Sequence, residues 1–466
     1  MAGVVFLIVY LAGGCFAVRW LLPQKPLPVR LWLGLSAGVF LMMWLPALLA
    51  FLRPFDVLTQ WLSMAALLAL CAAAWFWRSP APLHASDDKR TWLLLLLTVL
   101  PLTLLTAYLQ HTHVLQPEGG ALRTGQATYG DLPLHLSIIT SLPGRVFPPD
   151  YSILPGVRLG YPFLGDSLSS SFLALGWGLR ESVVVPGTLM SLLVFAGYAL
   201  LALRCCASRK AAALAFFLLF LNGGLGFLYS ADMAGVSLGS SGVNELQQGT
   251  WLDRLRTILD GWYQTPVNHA EFTTYNLRWS NIVADMLLPQ RTFLAGWAVL
   301  LPCLYLLADA VRDAKWGLRQ TVLLGVMAGG LPLIHTHSFL ALGLASAGFL
   351  AYGLFRKAPL KPWLLYGGIA ALLALPQLLA FTFSQAGTEG FVRLQFNWVN
   401  NSGGQGLRDG YLWFYVKNVG LPFVLLLFAL LEKNPRHRQL FAGAFAVFLV
   451  AEFVLFQPNE YDNNKL

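Results

Sequence analysis

Runs of apolar residues long enough to cross a lipid bilayer recur along this chain and constrain its fold more than any other feature. A membrane-spanning helix needs about 20 consecutive, mostly apolar residues. The sequence predicts an all-α polytopic transmembrane protein with about 12 membrane-spanning helices. One of these, the Gly-rich run at 320–335, is shorter than 20 residues but is also mostly apolar. The other predicted spans are 2–22, 30–52, 56–77, 91–110, 183–203, 211–229, 291–311, 338–355, 363–384, 411–431 and 439–457.

The composition agrees with this class and argues against a set of soluble domains. Hydrophobic residues make up 57% of the 466 residues, charged residues make up 11%, and the mean hydropathy is +0.61. Such values lie outside the range of soluble proteins. The net charge of +9 would suit a nucleic-acid partner in a soluble protein. In a membrane protein it is explained by cytoplasmic Lys and Arg, so we expect membrane lipids and no nucleic acid as partners.

Familiar catalytic and metal-binding motifs are missing from the sequence. The five cysteines lie in or beside apolar segments, with no CxxC or Cys/His zinc spacing. No P-loop, Rossmann fingerprint, G-x-S-x-G or HExxH motif occurs in a fitting context. These observations argue against ATP-driven, redox and serine-hydrolase functions.

The distribution of basic residues predicts which segments lie on the same side of the membrane. Residues 161–180 are apolar but contain Asp166 and four serines, and an Asp at the centre of a span costs about 2.5–3.5 kcal/mol. Six short connections between predicted spans together contain seventeen Lys and Arg and four acids. If 161–180 does not cross the membrane, all six lie on the same side. The positive-inside rule makes that side cytoplasmic. These connections are 23–30, 78–90, 204–210, 312–319, 356–362 and 432–438.

We therefore interpret 161–180 as a helix that lies in the outer membrane interface with its apolar face down. The N-terminus is then external, as are the long loops 111–182, 230–290 and 385–410 and the polar tail 458–466. The expected location is the bacterial inner (cytoplasmic) membrane, with the long loops and any active site facing the periplasm.

The first long loop contains the most informative stretch, in which Asp131 and His135 are four residues apart. Asp131 precedes Leu132 and Pro133, which predicts a helix start. A carboxylate there could accept a proton from a hydroxyl nucleophile. The alternative is an ordinary N-cap that satisfies free backbone N–H groups. His135 would share a helical face with Asp131 as a substrate-binding residue, or would be a hydrogen-bonded structural histidine.

Asp166 is the second candidate catalytic carboxylate, because it would face the same external cavity as Asp131. The two acids could share the acceptor, or one of them could hold a divalent cation (Mg or Mn) together with water. Asp166 could also be a helix cap. No adjacent DxD pair supports a metal, so the sequence assigns no cofactor.

Further candidates for substrate binding lie at external helix ends. Arg291 follows LLPQ at the start of a span, where its guanidinium could bind a lipid phosphate or simply extend to the interface. His335 and His337, in LIHTHSF, could donate to a phosphate or sugar, with polarity at a helix end as the alternative. Asp462, in the tail FQPNEYDNNKL, could complete the cavity or belong to a solvated end.

The order of these features resembles that of the GT-C superfamily of membrane glycosyltransferases, such as protein O-mannosyltransferases and aminoarabinose transferases. GDLPLHL puts Asp131 in the acidic position of the family's first external loop, and GYPFLGDSL resembles its second interfacial helix. The resemblance covers 91–457 as a GT-C-like core and leaves 1–90 as accessory helices. This sequence differs from the mannosyltransferases in two ways. It has Asp-Leu where they have an acidic pair, and about twenty residues separate the preceding span from Asp131.

The resemblance implies a transferase that uses a polyprenyl-phosphate sugar donor and a glycan, lipid or protein acceptor. Asp131 would be the general base, and Arg291, with His335 or His337, would meet the charge of the departing phosphate. Two other classes stay open. A transporter or flippase would place ionisable residues near mid-bilayer, whereas the predicted spans here are nearly free of charge. A non-enzymatic envelope assembly subunit would not depend on Asp131.

Overall fold

The computed structural model describes residues 1–76, 89–125, 128, 130–206, 208–225, 250, 252–253, 256, 276, 281–383 and 390–466. This part of the chain is mainly helical. In chain order its helices are α1 Ala2–Leu21, α2 Leu27–Ala50, α3 Val57–Phe76, α4 Lys89–Leu109, α5 Leu132–Ser141, α6 Leu164–Ala174, α7 Leu179–Cys205, α8 Arg209–Phe220, α9 Arg291–Asp313, α10 Leu318–Gly329, α11 Thr336–Phe355, α12 Lys361–Gln377, α13 Tyr411–Val419, α14 Leu421–Ala429 and α15 Pro435–Phe453.

Among these described helices, eight are long and apolar enough to cross a membrane by length and composition, namely α1, α2, α3, α4, α7, α9, α11 and α12. Two of them continue into five-residue π-helical turns, Gln110–Val114 after α4 and Leu378–Thr382 after α12. The eight helices coincide with eight of the predicted spans. The protein is therefore a multi-pass, all-α membrane protein.

The other four predicted spans correspond to shorter or interrupted helices. The predicted span 411–431 is divided into α13 and α14 at Gly420, whose positive φ of 71° is readily available only to glycine. The predicted span 320–335 ends early as α10, before Pro332, since the residue preceding a proline disfavours helix. The predicted span 211–229 corresponds to α8, and its last residues lie outside the described part. The predicted span 439–457 corresponds to α15, which strand Val454–Leu455 follows.

The helices of the segment predicted as accessory share one hydrophobic core with the rest of the bundle. Helices α1 and α2 approach so closely that a Cβ on Gly14 would lie 2.3 Å from the carbonyl oxygen of Gly34. Small residues permit such backbone contact between membrane helices. Helix α2 in turn packs against α6, α7 and α9. The boundary near residue 90 stays a prediction, but α1 and α2 belong to the same packed body as the helices that follow.

Helix α6 lies inside the protein, which corrects the prediction of a helix resting on the outer leaflet. Every residue from Leu164 to Phe172 is buried, and the helix packs against α2, α5, α7 and α9. Its serines find partners within the protein; for example, the Ser170 hydroxyl donates to the Ile139 carbonyl at 2.9 Å. At 11 residues, α6 is also too short to cross a bilayer. The apolar face that we expected to meet lipid meets other helices instead.

Three of the basic connections meet at one end of the bundle. Lys25 and Arg204 both bind the Asp309 carboxylate, Arg204 through Nε at 2.6 Å. Arg319 donates to the carbonyl oxygen of Trp20 at 3.1 Å. These contacts join 23–30, 204–210 and 312–319, as the orientation argument predicts. Helices α7 and α9 both run from the opposite end of the bundle to this one.

The opposite end contains the hairpins and the tail. Its described strands form three antiparallel pairs: β1 Gln116–Glu118 with β2 Ala121–Arg123, β3 Asp150–Tyr151 with β4 Leu154–Arg158, and β5 Arg393–Leu394 with β6 Val454–Leu455. The last pair joins the loop after α12 to the end of α15. A 3-10 turn, Glu460–Lys465, follows. The candidate site residues lie at this end.

Candidate functional site

The centre of the site is a buried pair formed by His135 and Asp166. His135 lies on α5 and Asp166 on α6, two helices that pack against each other. The imidazole Nδ1 is 2.9 Å from Oδ2 of the carboxylate, and both side chains are 0% exposed. His135 Nε2 and Asp166 Oδ1 have no hydrogen-bond partner among the described residues. The structure thus brings together two residues that sequence reasoning had placed in one cavity.

Arg291 is the first residue of α9, at the helix end where the sequence placed it, but protein encloses it and it does not extend to the interface. Its side chain is 1% exposed. Nη1 donates to the Val183 carbonyl oxygen at 2.9 Å and Nη2 to the Ser169 hydroxyl at 2.7 Å, while Asp166 is close enough to act on it electrostatically. Helix α9 begins inside packed protein, so its first residue is enclosed. The positive charge of Arg291 therefore lies in the neighbourhood of the buried Asp166 carboxylate, and its hydrogen bonds within the described part of the chain go to Val183 and Ser169.

Asp131 directly precedes α5 and is exposed, as its predicted position at a helix start requires. Pro133 lies in the first turn of that helix, which confirms the predicted start. Within the described part of the chain, however, the Asp131 carboxylate makes no capping hydrogen bond to the helix. The alternative of an ordinary N-cap is thus not what the structure has. The carboxylate is available for another role.

Tyr161, which sequence reasoning missed, is a buried phenol that contacts both α5 and α9 and lies in the electrostatic field of the site's acids. The phenol oxygen is 3.3 Å from the Thr292 hydroxyl. Burial raises the pKa of Tyr161 well above its usual value; the Thr292 hydrogen bond opposes this, and the charges of Asp166, Asp131 and Asp462 add to it. The phenol therefore stays protonated and is a hydrogen-bond donor. A lone Tyr before a proline gave no signal in the sequence.

His335 and His337 lie beside this cluster with their ring centroids 5.5 Å apart. His335 caps α11, since its Nδ1 accepts from the Ser338 backbone N–H at 3.3 Å and lies 2.8 Å from the Ser338 hydroxyl. Burial, followed by the charges of His337 and Lys465, lowers the pKa of His335 well below its ordinary value. His335 is therefore neutral at pH 7. The helix-end role that we kept as an alternative is confirmed for it.

The C-terminal tail folds back onto the site. Lys465 and Asp462 form an ion pair at 2.8 Å, and both act electrostatically on His337. Glu460 anchors the turn, because its carboxylate accepts from the Gly403 N–H at 2.9 Å and from the Gln395 amide at 2.7 Å. Asp462 is thus part of a folded, partly buried turn, and its role as a substrate-binding residue stays a prediction.

The described residues contain no group of three or more His, Cys, Asp or Glu side chains that could hold a metal ion. His335 and His337 come closest to a pair of ligands, but the first uses its Nδ1 to cap α11. The described residues therefore contain no cluster of ligands for the divalent cation that the sequence left open.

An apolar groove of about 530 Å³ lies next to the site. Its Leu333 end adjoins α6, because the Leu164 N–H donates to the Leu333 carbonyl at 3.0 Å. The Phe381 ring, at the same end, lies 5.9 Å from Phe163. The groove lies between α2 and the α10–α12 region and is lined by Phe40, Leu41, Trp44, Leu45, Leu48, Phe51, Val326, Gly330, Leu333, Leu373, Pro376, Gln377, Ala380 and Phe381.

Arg158 places a positive charge at this end of the groove, and sequence reasoning missed it too. The residue ends strand β4 and is exposed. Its guanidinium lies 5.7 Å from the centroid of the Phe381 ring, and Nη1 donates to the Ala380 carbonyl at 3.2 Å. Arg158 is one of several scattered charges in the loop 111–182, so only the fold shows that it faces the groove.

The site thus combines an exposed carboxylate, a buried His–Asp–Arg cluster, a protonated phenol and an apolar groove with a cation at its end. No protein-family model matches the chain, and neither a curated protein nor a solved structure matches it. The resemblance to GT-C glycosyltransferases therefore stays a prediction that rests on the motifs and their order.

Proposed function

We propose that this protein is a glycosyltransferase that moves a sugar from a polyprenyl-phosphate donor to an acceptor. One juxtaposition carries the proposal: Asp131 directly precedes α5, α5 packs on α6, and α6 adjoins the end of the apolar groove where Arg158 lies. A donor that is apolar along its chain and anionic at its head needs both kinds of surface next to a base.

The groove suits the lipid part of such a donor. Its walls are almost entirely aliphatic and aromatic, with Gln377 as the exception, and isoprenoid units would bury their apolar surface there. Arg158 at the end would meet the phosphate, since a guanidinium offers paired donors that match phosphate oxygens. This assigns to Arg158 the role that the sequence had suggested for Arg291, which is enclosed and already hydrogen-bonded.

The chemistry follows from the positions of the polar groups. Asp131 accepts the proton of an acceptor hydroxyl while that oxygen attacks the anomeric carbon. The bond from this carbon to the phosphate oxygen breaks, the electron pair leaves with the polyprenyl phosphate, and the configuration inverts. Tyr161 donates a hydrogen bond within the site. The His135–Asp166 contact joins α5, which Asp131 precedes, to α6.

The proposal includes the topology and the membrane face. Twelve crossings result if α8, α10, the α13–α14 pair and α15 also span, each together with its flanking residues. The gathering of Lys25, Arg204 and Arg319 at the end of the bundle away from the site supports a cytoplasmic location for that end. The site would then face the periplasm of a bacterial inner membrane.

The decisive experiment measures sugar transfer in membranes from a radiolabelled polyprenyl-phosphate sugar. Asp131→Asn removes the proton acceptor and keeps the shape, so we expect transfer to fall at least about 10²-fold at equal protein level. Glu118→Gln is the matched control, an acid-to-amide change at an exposed position in the same loop. Equal transfer by the Asp131→Asn variant and the control would remove Asp131 from the mechanism.

A transporter or flippase is the second candidate, and the buried charges of Asp166 and Arg291 are the observation that favours it. Ionisable groups inside a membrane protein commonly line a transport path. The two functions differ in their product. Movement of a labelled lipid-linked sugar across proteoliposomes without any new glycosidic bond, insensitive to Asp131→Asn, would favour the flippase and contradict the transferase. An assembly subunit would likewise keep its function in that variant.

A further inference from the structure

A second cavity, of about 620 Å³, is lined in part by the tail residues Asn463 and Asn464. It is bounded by α8, the π-helical turn Val283–Leu287, the interrupted pair α13–α14, and α15. It separates the main hydrophobic core from a smaller one, whose buried members are Trp398, Val399, Phe414, Tyr415, Phe423 and Leu455. Its size lies within the range of small-molecule sites.

The lining of this cavity has an apolar part and a polar part. Most of the lining is apolar, including Leu219, Leu426 and Phe448. The polar part of the lining includes the carboxylate of Glu452 and the side-chain amides of Asn463 and Asn464. The described lining residues include no Lys, Arg or His. The described lining of this cavity therefore carries negative charge, whereas the groove has the positive charge of Arg158 at its end.

Glu452 is the most unusual group of the lining. It is 3% exposed and lies on α15, a helix of 19 residues. Its carboxylate accepts from the Asn397 amide at 2.8 Å and from the Tyr415 hydroxyl. An ionisable residue at such a position is costly to bury and commonly marks a functional site. Tyr411 is a third hydrogen-bond partner, so all three side-chain partners of this carboxylate among the described residues are neutral.

The cavity and the candidate active site are joined by the 3-10 turn of the tail. Asp462 and Lys465 act on His337 from one side of this turn. Asn463 and Asn464, the residues between them, line the cavity. A molecule in the cavity would therefore present its head within one turn of backbone from Asp462 and Lys465.

We propose that this cavity binds the acceptor, and that the acceptor is a lipid with apolar chains and a neutral head that carries hydroxyl groups and no phosphate. The proposal rests on the proposed function and names the acceptor class for it. Carboxylates and amide oxygens accept hydrogen bonds from hydroxyls. The Glu452 carboxylate, whose side-chain partners in the described part of the chain are all neutral, repels a phosphate. The anionic donor thus binds the groove that ends at a cation, and the neutral acceptor binds the cavity that contains a carboxylate.

Photolabelling of the purified full chain in lipid nanodiscs tests the pocket without requiring sugar transfer. The probes are photoactivatable diacylglycerol and photoactivatable phosphatidic acid, which differ only in the phosphate. Diacylglycerol should label peptides of α14 and α15, and phosphatidic acid should label them far less. Ala444→Trp fills the cavity and should lower diacylglycerol labelling by about tenfold. Leu449→Trp, at an exposed position of the same helix outside the lining, should leave it unchanged.

Three results would overturn the acceptor pocket: equal labelling by the two probes, no diacylglycerol labelling of these helices, or undiminished labelling of the Ala444→Trp variant. The Asp131→Asn variant should bind diacylglycerol like the wild type. If diacylglycerol labels these helices selectively and the Ala444→Trp substitution lowers that labelling, but the protein transfers no sugar, the lipid site is confirmed and only the transferase proposal is contradicted.

Discussion

Nδ1 of His135 lies 2.9 Å from Oδ2 of Asp166, and neither side chain is exposed to solvent. The two residues are 31 positions apart in the sequence. In the neutral imidazole this contact places the proton on Nδ1 and the lone pair on Nε2. The contact links α5 to α6, and α6 is joined to α9 by the hydrogen bond from Arg291 Nη2 to the Ser169 hydroxyl at 2.7 Å.

Loss of the Asp166 carboxylate is predicted to destabilise the fold. Asp166→Ala leaves Nδ1 of His135 buried without its hydrogen-bond partner, and an unsatisfied buried polar group of this kind costs about 1–3 kcal/mol of the free energy of unfolding. The measurement is denaturant unfolding of the purified protein in detergent. Asp313→Ala is the control: this acid pairs with Arg204 but is 49% exposed, so we expect a change below about 1 kcal/mol. Equal losses from both substitutions would contradict the prediction.

Removal of the phenol hydroxyl is predicted to affect activity more than stability. Tyr161→Phe deletes a donor that lies in the electrostatic field of the site's acids, and its hydrogen bond to Thr292 is long at 3.3 Å. We expect unfolding to change by no more than about 1.5 kcal/mol. Transfer should fall by about tenfold, the effect of losing one such hydrogen bond in the transition state. Tyr151→Phe, in the β3–β4 hairpin, should retain full transfer, and equal activities would remove Tyr161 from the site.

Burial of neutral His335 is predicted to make stability fall in acid. Its pKa is lowered in the folded protein, whereas the unfolded chain titrates near the ordinary value of about 6.5. As the pH is lowered, the unfolded chain therefore binds a proton at this histidine at a higher pH than the folded protein does. The stability contribution is present above about pH 6.5 and is lost as the pH falls from there toward the folded-state pKa. The slope for this one group approaches about 1.4 kcal/mol per pH unit.

Thermal unfolding in detergent between pH 8 and pH 5 measures this effect. His335→Asn removes the titrating group and keeps a good helix cap for α11. The variant should lose less stability than the wild type over the same range. A parallel decline of the two proteins would assign the acid sensitivity to other groups.

Loss of the groove cation is predicted to weaken donor binding. Arg158→Gln removes the guanidinium at the Phe381 end, and a hydrogen bond to a charged group contributes about 1.5–3 kcal/mol. The KM for a polyprenyl-phosphate sugar should rise about tenfold or more, with kcat less affected. Arg145→Gln, an exposed basic residue of the same loop, is the control. A KM equal to that of the control would exclude Arg158 from the phosphate site.

The sequence was a good guide to the local features of this protein. Apolar runs predicted the eight helices of spanning length, because length and hydropathy are properties of a continuous segment. Asp131 before Leu132 and Pro133 predicted the start of α5 for the same reason. It was a poor guide where the surroundings of a helix matter: 161–180 was expected to rest on lipid, yet α6 is enclosed by other helices.

What the sequence by itself determined is the class of the protein, the ends of most helices and a set of polar residues at those ends. Only the tertiary structure decided which of them meet. Packing of α9 buries Arg291 and leaves the groove cation to Arg158, and folding back of the tail brings Asp462 close enough to act electrostatically on Tyr161. Hydropathy acts along the chain, whereas the contacts of a site depend on helix packing between distant segments.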